Sequence, residues 1–160
     1  VGSEMCIRDR YKMAGVEGQI QTGVRIGHKQ GIFSMRFRSQ FTNQRLFTTD
    51  QFSIGGRYSV RGFSGEETLR GDSGYYVQSE WSLPFRKQQI TPYVGIDIGH
   101  VWGPSTETQL GNTLIGGVVG VRGTVGDAVN YDVSLGTPIK KPEGFDTDTR
   151  VWAFRGSYQF

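Results

Sequence analysis

Apolar residues occupy every second position over most of the chain, with polar or small residues between them. This period of two is typical of β-strands whose two faces meet different surroundings. Seven segments show it, at residues 16–27, 33–41, 75–83, 92–102, 115–125, 129–135 and 152–160. They are roughly ten residues long, which is the length that a tilted strand needs to cross a bilayer. The alternation therefore predicts antiparallel strands with one apolar face.

The connections between the predicted strands alternate between short and long. Short turns are predicted at 28–31, 84–89 and 126–128, and long loops at 44–74, 103–113 and 138–149. Short turns on one side and long loops on the other are the layout of outer-membrane barrels. Aromatic residues near the strand ends suit the interfacial girdles of such barrels, namely Tyr75, Tyr93, Trp102, Trp152, Tyr158 and Phe160. Because seven strands cannot enclose a lumen and hydrocarbon does not tolerate open sheet edges, we expect part of a larger barrel.

A soluble antiparallel sandwich would also show alternation, because one face of each sheet packs on the other sheet. Three features favour the barrel. The strands are long for a sandwich, the polar face carries glycines and charges along its whole length, and the last alternating position is aromatic. The composition agrees, since the 160 residues include 24 glycines and only 36% are hydrophobic. No run approaches the roughly 18 apolar residues of a membrane-spanning helix.

The first ten residues fit none of the periodicity that follows. We expect residues 1–10 to be a non-native segment and residues 11–160 to form the barrel part. Cys6, the only cysteine, lies in that segment, so disulfides within the chain and cysteine-based metal sites are excluded. His28 and His100 are far apart in sequence, and no metal or cofactor is predicted. The charges are scattered and sum to +3, so no nucleic-acid partner is predicted.

The longest predicted loop contains the most specific motif of the chain. Its residues 51–63 include the turn glycines Gly55 and Gly56 and end in Val60, Arg61, Gly62 and Phe63. Here the chain resembles the outer-membrane transporters of two-partner secretion, the haemolysin-activator and filamentous-haemagglutinin-transporter branch of the Omp85 superfamily. In that family the matching tetrapeptide lies in a loop that folds back into the barrel lumen. Residues 95–102 and the terminal strand ending in Phe160 match as well.

This resemblance implies a fold, a function and a location. The chain would be the C-terminal part of an all-β, antiparallel transmembrane barrel of about sixteen strands. The complete protein would export one large partner exoprotein from the periplasm to the cell surface, through the lipid bilayer of a Gram-negative outer membrane. Periplasmic POTRA modules, expected upstream of these residues, would capture the partner. No nucleotide, cofactor or enzymatic activity is implied.

The parity of the strands identifies two candidate partners for Arg61. Asp97 and Glu80 fall on the face that is turned away from lipid, where a carboxylate is tolerated. An inward arginine could fix the long loop by fork-like hydrogen bonds to them. The alternation alone favours a solvated Arg61 and an Asp97 that is one lumen charge among many. In the family the equivalent arginine contacts the carboxylate of an Asp-x-Gly motif, so the resemblance implies a pair of Arg61 with Asp97, with Glu80 as a further candidate.

Three alternative functions stay open at this point. An Omp85 assembly factor, which inserts other barrels, shares the Arg-Gly and Asp-x-Gly elements, although residues 54–63 and 136–139 look more like the secretion branch. An outer-membrane enzyme would need a histidine beside a nucleophile or carboxylate near a rim, and His100 is the candidate. A passive porin would lack the folded-in loop that carries Arg61.

Overall fold

The computed structural model of the chain describes residues 12–85, 89–126 and 128–159. Within these ranges the chain forms nine β-strands and one short 3₁₀ turn at Pro104–Thr106. The strands are β1 (Ala14–Ile26), β2 (Lys29–Phe41), β3 (Phe52–Ile54), β4 (Leu69–Gly71), β5 (Ser73–Ser82), β6 (Thr91–Trp102), β7 (Thr113–Val125), β8 (Val129–Lys140) and β9 (Val151–Tyr158). In the described part of the chain, no helix is long and apolar enough to cross a membrane. The expected non-native residues 1–10 and the terminal Phe160 lie outside the described residues.

Seven of the strands form one sheet in the order β1-β2-β5-β6-β7-β8-β9. Every neighbouring pair is antiparallel, and each long strand pairs with the next long strand along the chain. This up-and-down order is that of an outer-membrane barrel wall. The predicted all-β antiparallel class is therefore confirmed.

The strand boundaries differ most from the prediction at the start of β2 and the end of β8. Ile26 pairs with Lys29, so the first turn contains only Gly27 and His28 instead of residues 28–31. Gly27 has a φ of 63°, which a two-residue hairpin turn favours. Strand β8 continues to Lys140, past the predicted end, because its last residues pair with β7 although they lack apolar alternation.

The longest connection, residues 42–72 between β2 and β5, is called the lumen loop below. The alternation predicted an irregular loop at 44–74, but the segment contains a short hairpin in which β3 pairs with β4. Its two ends are joined at a neck. The backbone N–H of Thr42 donates to Ser73 Oγ over 3.0 Å, and Ser73 Oγ donates to the Thr42 carbonyl over 2.9 Å. The lumen loop therefore leaves the wall and returns to it at one place.

The two faces of the sheet differ in chemistry, as the alternation predicted. The outer face presents large apolar side chains that are exposed in this chain, among them Val16, Ile20, Trp81, Val94, Ile96, Val119, Val133, Trp152 and Phe154. The inner face carries polar residues and glycines, and the strand register places Gln78, Asp97 and Gly116 side by side on it. An apolar exterior and a polar interior are what a barrel wall in lipid requires.

The hydrophobic core lies on the inner face, at the end where the long connections emerge. Tyr76, Val101 and Leu114 project from the wall there. The lumen loop contributes Phe52, Ile54, Val60, Phe63 and Leu69, and the β8–β9 connection contributes Phe145. Apolar residues are tolerated on the lumen side at this level because the loop covers them.

Candidate functional site

A tight turn after β3 presents Arg61 to the wall. The backbone N–H groups of Ser59 and Val60 both donate to the Gly56 carbonyl over 3.0 Å. Ser59 Oγ accepts from the N–H of Gly55 over 3.2 Å. Gly55 has a φ of 117°, in the region that favours glycine. Gly56 contributes the carbonyl oxygen that accepts both hydrogen bonds of the turn. The two predicted turn glycines therefore form the turn that immediately precedes the signature tetrapeptide.

The structure brings Arg61 together with both predicted carboxylates, and these three residues are called the arginine site. Arg61 Nε donates to Asp97 Oδ2 over 2.7 Å, and Nη2 donates to Asp97 Oδ1 over 2.8 Å. Arg61 Nη1 donates to Glu80 Oε2 over 2.7 Å. The backbone N–H of Arg61 also donates to Asp97 Oδ2 over 2.8 Å. Such a fork fixes the orientation of the guanidinium as well as its position.

The arginine site is largely removed from water. The Asp97 side chain is 0% exposed, and the Arg61 side chain is 20% exposed. Burial alone would lower the pKa of Arg61, but hydrogen bonds and attraction to Asp97 and Glu80 outweigh burial and raise that pKa above its ordinary value. Arg61 therefore stays cationic, and the two carboxylates are the partners that make its burial tolerable.

Glu80 is shared with a second arginine that the sequence did not single out. Arg122 Nη2 donates to Glu80 Oε1, on the opposite side of the carboxylate from Arg61. The Arg122 guanidinium lies 4.0 Å from the ring centroid of Tyr93, whose hydroxyl donates to Asp132 Oδ1 over 2.7 Å. This network extends the arginine site across β5, β6, β7 and β8.

Glycines on the inner face let the lumen loop lie directly on the strand backbone. A Cβ at Gly116 would overlap the carbonyl oxygen of Arg61, and one at Gly136 would lie 2.7 Å from Gly62 Cα. Gly95 lies below the guanidinium, where a Cβ would be 2.8 Å from Arg61 Nη2. Three strands thus supply a glycine cradle, defined here as Gly95, Gly116 and Gly136. No alternation pattern could have indicated it, because it depends on the path of a distant loop.

The other three residues of the tetrapeptide hold the loop by packing and backbone shape. Val60 is 0% exposed and Phe63 is 1% exposed, and both belong to the core on the inner face. Gly62 has a φ of 106°, and a Cβ there would be 2.5 Å from the Thr137 carbonyl oxygen. Each of the four signature residues therefore has a contact with the wall or the core.

The base of the lumen loop is anchored by Asp72, another residue that sequence reasoning did not select. The Asp72 carboxylate accepts from the N–H of Leu46 over 2.6 Å. It also accepts from the N–H and the hydroxyl of Ser105, over 2.8 and 2.9 Å. Asp72 is 0% exposed, and it ties the loop to the β6–β7 connection. The alternation places residues 71–74 within the long loop 44–74, and nothing in their local sequence indicates the partners of Asp72.

We predict that acidification loosens this anchor. Burial raises the pKa of Asp72, but the hydrogen bonds from Leu46 and Ser105 outweigh burial and lower the pKa below its ordinary 3.8. The stabilisation is therefore fully present above pH 3.8 and is lost as the pH falls through the lowered value. Asp72→Asn should mimic this loss at neutral pH and cost about 1–3 kcal/mol of local stability. Faster cleavage of the long connections by external protease in the full-length protein would measure it.

Asp148→Asn is the matched control, because Asp148 is an exposed residue of another long connection. Equal cleavage of the two variants would contradict the anchoring role of Asp72.

The described residues offer no metal site. Within residues 12–85, 89–126 and 128–159, no three His, Cys, Asp or Glu side chains are grouped so that they could hold an ion. His100 lies on the outer face, with Nδ1 2.8 Å from Thr113 Oγ1 and its ring stacked on Trp102. The described contacts of this imidazole are therefore with a hydroxyl and an aromatic ring.

A family model decides where the chain belongs. The model described as haemolysin secretion/activation protein ShlB/FhaC/HecB matches residues 3–123. The chain belongs to this family. The match begins within residues 1–10, and the division of the chain at residue 10 stays a prediction.

Relatives of this chain include transporters from several bacteria. Outer membrane transporter CdiB-2 of Burkholderia pseudomallei (strain 1026b) is 35% identical over 154 residues, which cover 94% of this chain and 26% of the relative. Hemolysin transporter protein HpmB of Proteus mirabilis is 34% identical over 76 residues, covering 46% of this chain and 13% of the relative. The solved structure of CdiB from Acinetobacter baumannii has a TM-score of 0.84 at 30% identity, covering 92% of this chain and 27% of that one. The chain thus spans about a quarter of the length of the CdiB relatives it matches.

Proposed function

We propose that this chain is the C-terminal part of an outer-membrane pore that exports a large partner protein from the periplasm to the cell surface. In this proposal the strands form part of the wall of the pore. The lumen loop lies inside the pore, and the arginine site holds it there. The chain contributes no catalysis.

The observation that carries the proposal is the arginine site. Arg61 belongs to a connection that enters the barrel from its rim, yet its guanidinium binds two inward carboxylates of the wall. Removing an arginine from water is costly unless its partners are well placed. A passive wall does not need a buried arginine with two carboxylate partners. The arginine site therefore supports the proposal that the position of the loop in the lumen matters for transport.

The two faces of the sheet support the location. Exposed apolar side chains on the outer face need a lipid bilayer to cover them. Relatives in the family are named outer membrane transporters, which agrees with placing this chain in the outer membrane of a Gram-negative bacterium. Capture of the partner belongs in this proposal to POTRA modules in the remainder of the protein.

Deleting the gene of the full-length parent in its own strain tests the proposal. We expect one large exoprotein, sought first among the products of the neighbouring genes, to disappear from the medium and the cell surface and to return on complementation. The abundance of other outer-membrane barrels should be unchanged. Complementation with a parent whose residues 55–63 are replaced by a glycine-serine linker should restore the barrel but not export.

Two of the alternative functions, the assembly factor and the passive porin, give different outcomes in this experiment. An assembly factor would lower the abundance of many other barrels when deleted. A passive porin would change the uptake of small solutes and leave the exoprotein unaffected. Either result would overturn the export proposal.

A further inference from the structure

The β8–β9 connection, residues 141–150, has one large apolar residue among charged and small ones. Its sequence is Lys-Pro-Glu-Gly-Phe-Asp-Thr-Asp-Thr-Arg, so Phe145 is the single aromatic side chain in it. Phe145 is nevertheless 2% exposed. Burial of the one aromatic ring in an otherwise polar connection indicates that the connection packs against another part of the chain.

The ring of Phe145 packs against the signature tetrapeptide. Its centroid lies 5.8 Å from that of Phe63, and the two planes meet at 84°, an edge-to-face arrangement. Phe63 is only two residues from Arg61, so the contact acts on the same part of the lumen loop that the arginine site holds. The Phe145 ring and the wall carboxylates therefore fix neighbouring residues of the loop.

Hydrogen bonds between the two segments surround this aromatic pair. The N–H of Ser64 donates to Thr147 Oγ1 over 3.4 Å. The N–H of Asp146 donates to the Glu67 carboxylate. Both bonds join the β8–β9 connection to the lumen loop just after the tetrapeptide, so the packing has a defined register.

The β8–β9 connection is itself held in shape. Lys141 Nζ donates to the Phe145 carbonyl over 2.8 Å, and the N–H of Phe145 donates to the Pro142 carbonyl over 3.3 Å. Gly144, directly before Phe145, has a φ of 79°, which favours glycine and turns the chain there. These bonds and the turn at Gly144 therefore hold the connection in a defined conformation that positions Phe145.

We infer that residues 141–150 form an outer clamp on the lumen loop, with Phe145 as its positioning residue. The arginine site holds the loop from the side of the wall, and the outer clamp holds it from the rim. The loop leaves the lumen only after the clamp has released Phe63. The export measurement below rests on the proposed function. The labelling measurement does not, because it reports the position of the loop directly.

Cysteine labelling in the full-length parent tests the clamp. With the native cysteines replaced by serine, Val60→Cys places a reporter at a fully buried position of the lumen loop. Phe145→Ala should raise the rate of labelling by an impermeant maleimide, added to intact cells, about tenfold or more. Phe145→Leu should restore most of the protection, because it keeps an apolar side chain at that position. Glu143→Ala, an exposed residue of the same connection, is the matched control and should change nothing.

Two results would overturn the clamp. One is unchanged labelling in a Phe145→Ala parent that inserts normally, and the other is an equal rise in the Glu143→Ala control. If Phe145→Ala does not insert, a Ser64→Cys, Thr147→Cys parent decides instead, because an oxidised tether should stop export and its reduction should restore it. Export that continues through the oxidised tether contradicts the clamp. An unsubstituted parent that exports no exoprotein contradicts the proposed function alone.

Discussion

Arg61→Ala in the full-length parent is expected to abolish export, or lower it about a hundredfold, while the barrel still inserts. The substitution leaves Asp97 buried without a cation, and breaking a buried pair in this way costs about 3–5 kcal/mol. Because the strand ladders do not involve Arg61, the loss falls on the position of the lumen loop. The amount of exoprotein in the medium, divided by the amount of parent in the outer membrane, measures the effect.

Arg57→Ala is the matched control for charge and location. Arg57 lies in the same loop and carries the same charge, but its side chain is exposed. Its removal should leave export within about twofold of the parent. Equal losses from the two substitutions would show that net charge in the loop matters rather than the arginine site.

Reversing the charges at both positions tests whether Arg61 acts through Asp97. Arg61→Asp and Asp97→Arg should each abolish export, and the double variant should recover part of it. Recovery stays partial because the backbone N–H of Arg61 also donates to Asp97. Strictly additive losses would argue that the two side chains do not interact.

Gly116→Ala is expected to have an effect close to that of Arg61→Ala, although every charged residue is retained. The added methyl group would overlap the Arg61 carbonyl oxygen, so the lumen loop must move away from β7. Overpacking of this kind costs about 1–3 kcal/mol, and alanine itself is acceptable in a strand. Export should fall at least about tenfold at normal levels of inserted barrel.

The neighbouring Gly117→Ala provides the control. Its Cβ would point to the outer face and would meet the end of the flexible Ile139 side chain at 3.2 Å. Export by this variant should match that of the parent. A similar loss from both glycine variants would indicate a general weakening of β7 instead of a displaced loop.

The wall of the barrel could be predicted from the sequence because each strand residue has surroundings that repeat every two positions. The seven segments, their apolar outer face and the inward placement of Asp97 and Glu80 all follow from that period. Errors occurred where the period stops, as in the last residues of β8. The β3–β4 hairpin was missed because three-residue strands are too short to show alternation.

The contact of Arg61 with Asp97 could not be predicted from alternation. Arg61 and Asp97 are 36 residues apart, and their contact depends on the path of the lumen loop as well as on the strand register. The pair was implied by the resemblance to a family. A family motif can indicate a contact between distant residues, whereas the pattern of neighbouring residues cannot. Arg122 and Asp72 belong to no motif that was recognised, and their partners lie 42 and 33 residues away.

The neck of the lumen loop, where Thr42 and Ser73 exchange two hydrogen bonds, determines what kind of motion the loop can make. Because the loop leaves and rejoins the wall at one point, a movement of the loop would not require β2 to separate from β5. The circumference of a barrel depends on the number of its strands and their stagger, and neither changes in such a motion. In the proposed pore, a movement of the loop about this neck would change the free lumen while the girth of the wall and its contact with lipid stay the same.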